Sequence, residues 1–173
     1  MIRFSPWILL IISTTSLFFA AGQARCDITY YEVGTGDNQA QLALHFSDDA
    51  QFVFNVNFTD TTTGLGLFDI IEAELALTTQ REDFGYGIFI DGISFDGHGN
   101  LGYGGDEDWW HYWIKDTELD PWESSAIGVT ERIVQNGCWD GWRYGSEAYP
   151  IPEPSSLFII VATGIILFTQ KRH

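Results

Sequence analysis

Residues 41–58 read QLALHFSDDAQFVFNVNF, and two alternating runs meet in this stretch at the short polar turn SDDA. Apolar residues occupy every second position from Leu42 to Phe46, and again from Phe52 to Phe58. Successive side chains point to opposite faces of a strand, so this pattern predicts a β-hairpin with one buried face. His45 lies opposite the apolar positions of its strand, and we expect it at the surface.

The spacing changes from strand-like to helical directly after the hairpin. Leu67, Ile70, Ile71 and Leu75 recur at i, i+3, i+4 and i+8, behind threonines at 61–63 that can cap a helix. The sequence therefore predicts one helix near residues 67–77.

Shorter strand patterns surround the hairpin and the helix. They cover residues 28–33, 87–95, the aromatic stretch 109–114 and, after an element at 126–134 and the turn Asn136-Gly137, residues 138–144. A mixed sheet packed on a single helix in this order is an α+β fold of the β-grasp kind.

Four segments of the sequence carry a family resemblance. They are Thr63-Gly64-Leu65 before the helix, WWHYW at 109–113, IGV at 127–129 and VQNGCWDGWRY at 134–144. Over residues 40–145 these segments resemble the transcobalamin C-terminal-like β-grasp domain, whose bacterial members are mostly secreted. The resemblance implies a ligand-facing turn above 127–129, although Cys138 replaces the usual acidic residue of the final turn. We do not expect cobalamin binding, because that family also uses a large helical domain that is missing from this sequence.

The N-terminus has the pattern of a secretory signal peptide. Arg3 is followed by an almost wholly apolar run at 7–21 and by the small-residue exit Gly22-Gln23-Ala24. The run is shorter than the roughly 20 residues that span a bilayer comfortably, which disfavours the alternative of a membrane anchor. We expect a signal peptide at 1–24 and a mature domain at 25–149.

The C-terminus, residues 150–173, combines three parts in order. Pro152-Glu153-Pro154 precedes an apolar run at 157–168 and the basic end Lys171-Arg172-His173. This order resembles the PEP-CTERM sorting tail of exported bacterial proteins. The resemblance implies passage through the secretion machinery, anchoring in the inner membrane, processing by an exosortase, and delivery to the cell surface or an exopolysaccharide matrix. A permanent tail anchor is the alternative.

The charge is strongly one-sided. All 24 acidic residues lie within 27–153, where only four residues are basic, which gives this part of the chain a net charge of −20. Such a surface repels the phosphates of nucleic acids and anionic lipid headgroups, so we expect no nucleic-acid partner.

No pattern in the sequence amounts to a catalytic site, and we expect neither enzymatic activity nor a cofactor. There is no G-x-S-x-G motif, and Glu72 and Glu74 point to different faces of the predicted helix. In the glycine-rich loop at 96–108 only weak metal candidates stand out, namely Asp96, Asp106 and Asp108.

The two cysteines, Cys26 and Cys138, can form a disulfide in an oxidising envelope. There is no CxxC spacing and no Cys/His ligand set, which disfavours a zinc site.

Five of the seven tryptophans fall in two clusters, at 109–113 and 139–142. Clustered aromatics either fill the core of a small sheet domain or form platforms for sugars. The candidate ligand-facing residues are Trp109, Trp110, Trp113 and Trp142, with Trp109 and Trp113 expected on one face of their strand and Trp110 on the other. The sequence thus favours a non-catalytic exported envelope or matrix protein. An extracellular module that binds a polysaccharide or a small ligand is the alternative.

Overall fold

A computed structural model of the chain describes residues 27–85, 87–102 and 108–151. The predicted signal peptide, Pro152-Glu153-Pro154, the apolar run and the basic end with Lys171 and Arg172 lie outside these ranges. Within the described part, no helix combines the length and apolarity needed to cross a membrane.

The described elements alternate short strands with one helix. In chain order they are β1 (Ile28–Gly34), β2 (Asn38–His45), β3 (Gln51–Phe58), β4 (Thr62–Thr63), α1 (Gly64–Glu74), β5 (Thr78–Asp83), β6 (Ile88–Phe95), β7 (His98–Leu101), β8 (Trp110–Lys115), β9 (Glu123–Ser124), β10 (Ile133–Val134) and β11 (Trp139–Tyr144).

The main sheet is mixed and has six strands in the order β1-β3-β2-β11-β8-β9. The predicted hairpin is confirmed, because β2 and β3 pair antiparallel. The last strand, β11, lies in the middle of the sheet, parallel to β2 and antiparallel to β8. The prediction of an α+β fold with a mixed sheet packed on a helix is therefore confirmed.

Helix α1 begins three residues earlier than predicted. The Thr63 side chain caps it by accepting a hydrogen bond from Gly66 N at 3.1 Å. Its buried face consists of Gly64, Leu67, Phe68 and Ile71, and the Phe68 ring meets Trp142 of the sheet at 5.6 Å. The expected apolar face is partly wrong. Phe68, which was not expected on it, is fully buried, whereas Ile70 is only partly buried and Leu75 is the C-cap of the helix.

A second sheet of three strands, in the order β5-β6-β7, packs beside the helix. Sequence analysis missed β5, whose residues TTQRED are polar, and placed β7 in an irregular loop. Arg81 of β5 donates hydrogen bonds to Asp69 and Glu72 of the helix, both at 2.7 Å. Ion pairs therefore attach β5 to the helix, where an amphipathic strand would use apolar side chains.

The prediction that His45 lies at the surface is wrong. His45 is only 4% exposed, and its Nδ1 lies 2.8 Å from the carbonyl oxygen of Pro150. Pro150 is itself buried. The hairpin is accordingly buried on both faces, since Ala43 and Val53, which share the face of His45, are fully buried. Residues 149–150 cover part of this outer face of the sheet, through the contacts of Tyr149 with Trp113 and of Pro150 with His45.

Candidate ligand groove

A cavity of about 410 Å³ opens between the start of β6 and the loop that joins β9 to β10. We call it the aromatic groove. It is lined by Gly87, Ile88, Phe89, Ile90, Trp110, Tyr112, Ser125, Ala126, Ile127, Gly128, Val129, Glu131 and Trp142. Its volume lies within the range of typical small-molecule sites, and its lining is mainly apolar and aromatic, as such sites are.

Three rings from the main sheet form the floor of the groove. Trp110 and Tyr112 lie two residues apart on β8, so they point to the same face. Tyr112 is directly opposite Trp142 of β11, and their rings stack with centroids 4.4 Å apart and planes 15° from parallel. Trp110 packs edge-on against Phe46 at 5.3 Å and Tyr144 at 5.5 Å. The floor is therefore held in place from several sides.

A buried polar network lies behind this floor. Tyr112 Oη donates to Asp140 Oδ2 at 2.5 Å, and Arg132 Nε lies 3.5 Å from Asp140 Oδ1. The Arg132 guanidinium also donates to Asp116 at 2.8 Å. Asp140 is fully buried, whereas Asp116 is mostly exposed. The network leads from the groove floor through the core to the surface.

Burial dominates the acid–base properties of this network. It raises the pKa of Asp140 to about 6, even though the hydrogen bond from Tyr112 and the charge of Arg132 act in the opposite direction. Burial, followed by the nearby Asp140 charge, raises the pKa of Tyr112 above its ordinary value. Tyr112 is consequently a protonated donor at any physiological pH, which suits a structural anchor.

The loop wall of the groove is fixed by its own hydrogen bonds. Glu131 Oε2 accepts from Gly128 N at 3.2 Å, and Gly128 O accepts from the backbone N–H groups of Glu131 and Arg132. Val129 O accepts from Leu65 N at 2.9 Å, which ties this wall to the first turn of α1. The wall is thus preformed.

A second hollow of about 470 Å³ adjoins the groove and shares Phe89, Ile90 and Trp110 with it. Phe84 and Phe89 contact each other edge-to-face at 5.3 Å, and each is more than half exposed. The remaining lining residues are Glu82, Asp91 and Trp109. The exposed ring of Phe89 therefore lines both cavities, and in the adjoining hollow it lies among Phe84 and the carboxylates of Glu82 and Asp91.

The structure brings three of the four predicted aromatic residues together. Trp110 and Trp142 line the groove and Trp109 lines the adjoining hollow, whereas Trp113 lies on the opposite face of the sheet against Tyr149, at 5.2 Å. Trp109 and Trp113 therefore do not share a cavity.

Sequence analysis did not single out Tyr112, Phe89 or Glu131. For Tyr112 a signal existed, namely its period-2 relation to Trp110. The segment 127–129, named above for the ligand-facing turn, lines the groove.

The weak metal candidates are not brought together in the described residues. Asp96 lies in the turn between β6 and β7, Asp108 is exposed before β8, and Asp106 lies outside the described residues. Across 27–85, 87–102 and 108–151, no group of three His, Cys, Asp or Glu side chains could hold a metal ion.

The structure describes only one partner of the predicted disulfide. Cys138 is 5% exposed, and its Sγ accepts a hydrogen bond from Gln135 N at 3.4 Å. Cys26 lies outside the described residues, so its pairing with Cys138 stays a prediction.

No protein-family model, curated protein or solved structure matches the chain.

Proposed function

We propose that the chain is an exported cell-envelope or extracellular-matrix protein, processed by an exosortase at its C-terminus and without catalytic activity. Support comes from its two ends. The basic, apolar and small-residue pattern of 1–24 is that of a signal peptide, and residues 150–173 follow the order of a PEP-CTERM tail. The net charge of −20 between residues 27 and 153 suits a soluble domain outside the cell.

We further propose that the folded part is a β-grasp domain. The hairpin β2–β3 is followed by α1, and β11 lies parallel to β2 in the middle of the sheet, with β8 beside it. This order, β3-β2-β11-β8, is the arrangement that the proposal requires. β1 and β9 extend the sheet at its two edges.

The aromatic groove favours a second function for the same protein, that of an extracellular binding module. The observation that carries it is a preformed cavity of about 410 Å³ with a stacked Tyr112–Trp142 floor. Among the described lining residues, the two hydroxyls are both engaged: Ser125 Oγ donates to the Ile127 carbonyl, and Tyr112 Oη donates to Asp140. Nearby, the carboxylate of Asp140 is sealed behind Tyr112. The arrangement supports binding in preference to catalysis.

The sorting proposal is tested by substituting Glu153→Ala in a host that carries an exosortase. The change lies outside the described fold, so the domain should still fold while the tail is no longer processed. The uncleaved chain should then accumulate in the inner membrane. The matched control is Glu147→Ala, an exposed glutamate just before the tail.

Mass spectrometry of the membrane and released fractions gives the readout. Normal release of the Glu153→Ala protein, or equal release of the unchanged protein from a host without exosortase, would show that the tail is an ordinary anchor.

A further inference from the structure

We propose that the aromatic groove and its adjoining hollow bind a polysaccharide whose sugar units carry free amino groups. This inference rests on the binding function proposed above and specifies its ligand class. Two features carry it, namely the shape of the aromatic surface and the sign of the charges around it.

The shape fits consecutive flat, ring-sized units. At roughly 30 Å³ per water-sized group, about 410 Å³ holds on the order of a dozen non-hydrogen atoms, which is one hexose unit. The adjoining hollow of about 470 Å³ offers space for a second unit. Because Phe89, Ile90 and Trp110 line both cavities, a chain of linked units can pass from one to the other.

The rings provide surfaces on which the apolar C–H face of a sugar can stack. Phe89 is 54% exposed between the two cavities, and Trp110 lies beneath both. Trp142 lines the groove at 5% exposure, and its indole N–H has no hydrogen-bond partner among the described residues.

The charges select the kind of sugar. Every charged residue that is described in the two linings is acidic, namely Glu131 in the groove and Glu82 and Asp91 in the hollow. An ammonium group is attracted by these carboxylates and by the faces of the rings, whereas a uronate or a phosphate is repelled.

The four described basic side chains lie outside both linings. Arg81 is paired with Asp69 and Glu72. Arg132 is paired with Asp116 and Asp140. Arg143 donates to Tyr149 O, and Lys115 lies over the Trp122 and Trp139 rings. They therefore do not cancel the negative charge around the groove.

Glu131 is well placed to recognise an amine. It is exposed at the rim, and its Oε2 accepts a hydrogen bond from Gly128 N at 3.2 Å, which orients the carboxylate. A carboxylate has about four acceptor sites, so Glu131 can hold its backbone partner and still accept from an ammonium group.

The test is calorimetric titration of the full exported protein with three tetrasaccharides of matched length. Their units are glucosamine, N-acetylglucosamine and galacturonic acid, and the solution is kept near pH 6 so that the amines are protonated. We expect saturable binding of the glucosamine tetramer, at least about tenfold weaker binding of its N-acetylated form, and none of the acidic tetramer. Raising the salt from about 20 mM to about 0.5 M should weaken the binding.

Variants locate the site. Glu131→Gln combined with Glu82→Gln removes two charges but keeps an acceptor for Gly128, and we expect at least about fivefold weaker binding of the glucosamine tetramer. Phe89→Ala should weaken all sugar binding, and Glu147→Gln, outside both cavities, should leave it unchanged.

Each contrary outcome has a distinct meaning. Equal affinity for the glucosamine and N-acetylglucosamine tetramers would overturn the amino-sugar assignment and leave sugar binding intact. Binding that the Glu131/Glu82 and Phe89 variants do not change would overturn the site. Failure of all three tetramers to bind the folded protein would overturn this inference, whereas the binding function would be overturned only if other small ligands also failed to bind, and the processing assay tests export separately.

Discussion

Tyr112 Oη donates to Asp140 Oδ2 at 2.5 Å, while the ring of the same tyrosine stacks on Trp142. One side chain thus joins the floor of the aromatic groove to a fully buried carboxylate. The position of the floor depends on the pairing of that carboxylate, and the stability of the core depends on a hydroxyl that belongs to the groove.

Tyr112→Phe should lower the free energy of unfolding by about 1–3 kcal/mol, because it leaves a buried carboxylate without its shortest hydrogen bond. The ring remains, so the groove keeps its shape. Urea denaturation measures the loss. The control is Tyr30→Phe at a side chain 60% exposed, which should change stability by less than about 0.5 kcal/mol. Equal effects of the two substitutions would show that the bond to Asp140 stabilises nothing.

Asp140 should make the folded state less stable as the pH rises. The folded protein keeps the Asp140 proton up to about pH 6, whereas the unfolded chain releases it near 3.8. The stabilisation linked to this proton is fully present below pH 3.8 and is lost as the pH rises through 6.

Comparison with Asp140→Asn isolates this effect from that of the other carboxylates. Between about pH 4 and pH 7, the unfolding free energy of the unchanged protein should fall relative to the variant by up to about 3 kcal/mol. Denaturation curves at several pH values supply the difference. A difference that stays constant with pH would contradict the raised pKa.

His45 should act with the opposite sign. Burial, followed by the Arg143 charge, lowers its pKa below 6.5, so the folded state holds the imidazole neutral with Nδ1–H donating to Pro150 O. The stability that depends on neutral His45 is present above pH 6.5 and is lost as the pH falls through the lowered value. Following the imidazole signals by NMR should give a midpoint below 6.5. The substitution His45→Gln should remove this part of the pH dependence, and a midpoint above 6.5 would refute the assignment.

Gly64→Ala should destabilise the protein although alanine is the better helix former by about 1 kcal/mol. A Cβ at this position would lie 2.7 Å from Tyr112 Oη, 2.8 Å from Asp140 Oδ2 and 3.0 Å from Val129 O. Such overpacking costs about 1–3 kcal/mol, because the anchored groups have no room to move.

Gly66→Ala is the matched control within the same helix. A Cβ here would lie 2.2 Å from the Thr62 hydroxyl, a side-chain oxygen, and at least 3.5 Å from its next neighbours. We expect a change of the Thr62 rotamer to relieve this contact, whereas the Val129 carbonyl beside Gly64 belongs to the backbone. The midpoint temperature of thermal unfolding should be higher for Gly66→Ala than for Gly64→Ala. The reverse order would show that the helix does not need the close approach of Gly64 to Tyr112 and Asp140.

Local periodicity was sufficient to predict the hairpin, the helix and the α+β class. The hairpin pattern from Leu42 to Phe58 and the helical spacing after Thr63 each depend on neighbours in sequence. β5 was missed because its residues are polar and show no alternation of apolar positions. It is attached to the helix through the ion pairs of Arg81 with Asp69 and Glu72.

Long-range contacts explain the errors and the part of the site that sequence analysis did not find. His45 is buried by Pro150, which lies 105 residues further along the chain. The composition pointed to Trp110 and Trp142, and alternation along the strand was enough to place Trp113 on the face opposite Trp110. The β8–β11 register, however, decides that Tyr112 lies opposite Trp142. Such a register depends on side chains that are distant in sequence, so local patterns do not specify it.

The aromatic groove is proposed above as the binding site of an exported module. Titration of an isotope-labelled sample of the exported protein with the glucosamine tetramer tests this proposal through the indole N–H signals of the tryptophans. We expect saturable shifts for Trp110 and Trp142 in the groove, and unchanged signals for Trp122 and Trp139, which contact each other outside its lining. Shifts confined to Trp122 and Trp139, or no saturable shift at any tryptophan, would contradict it.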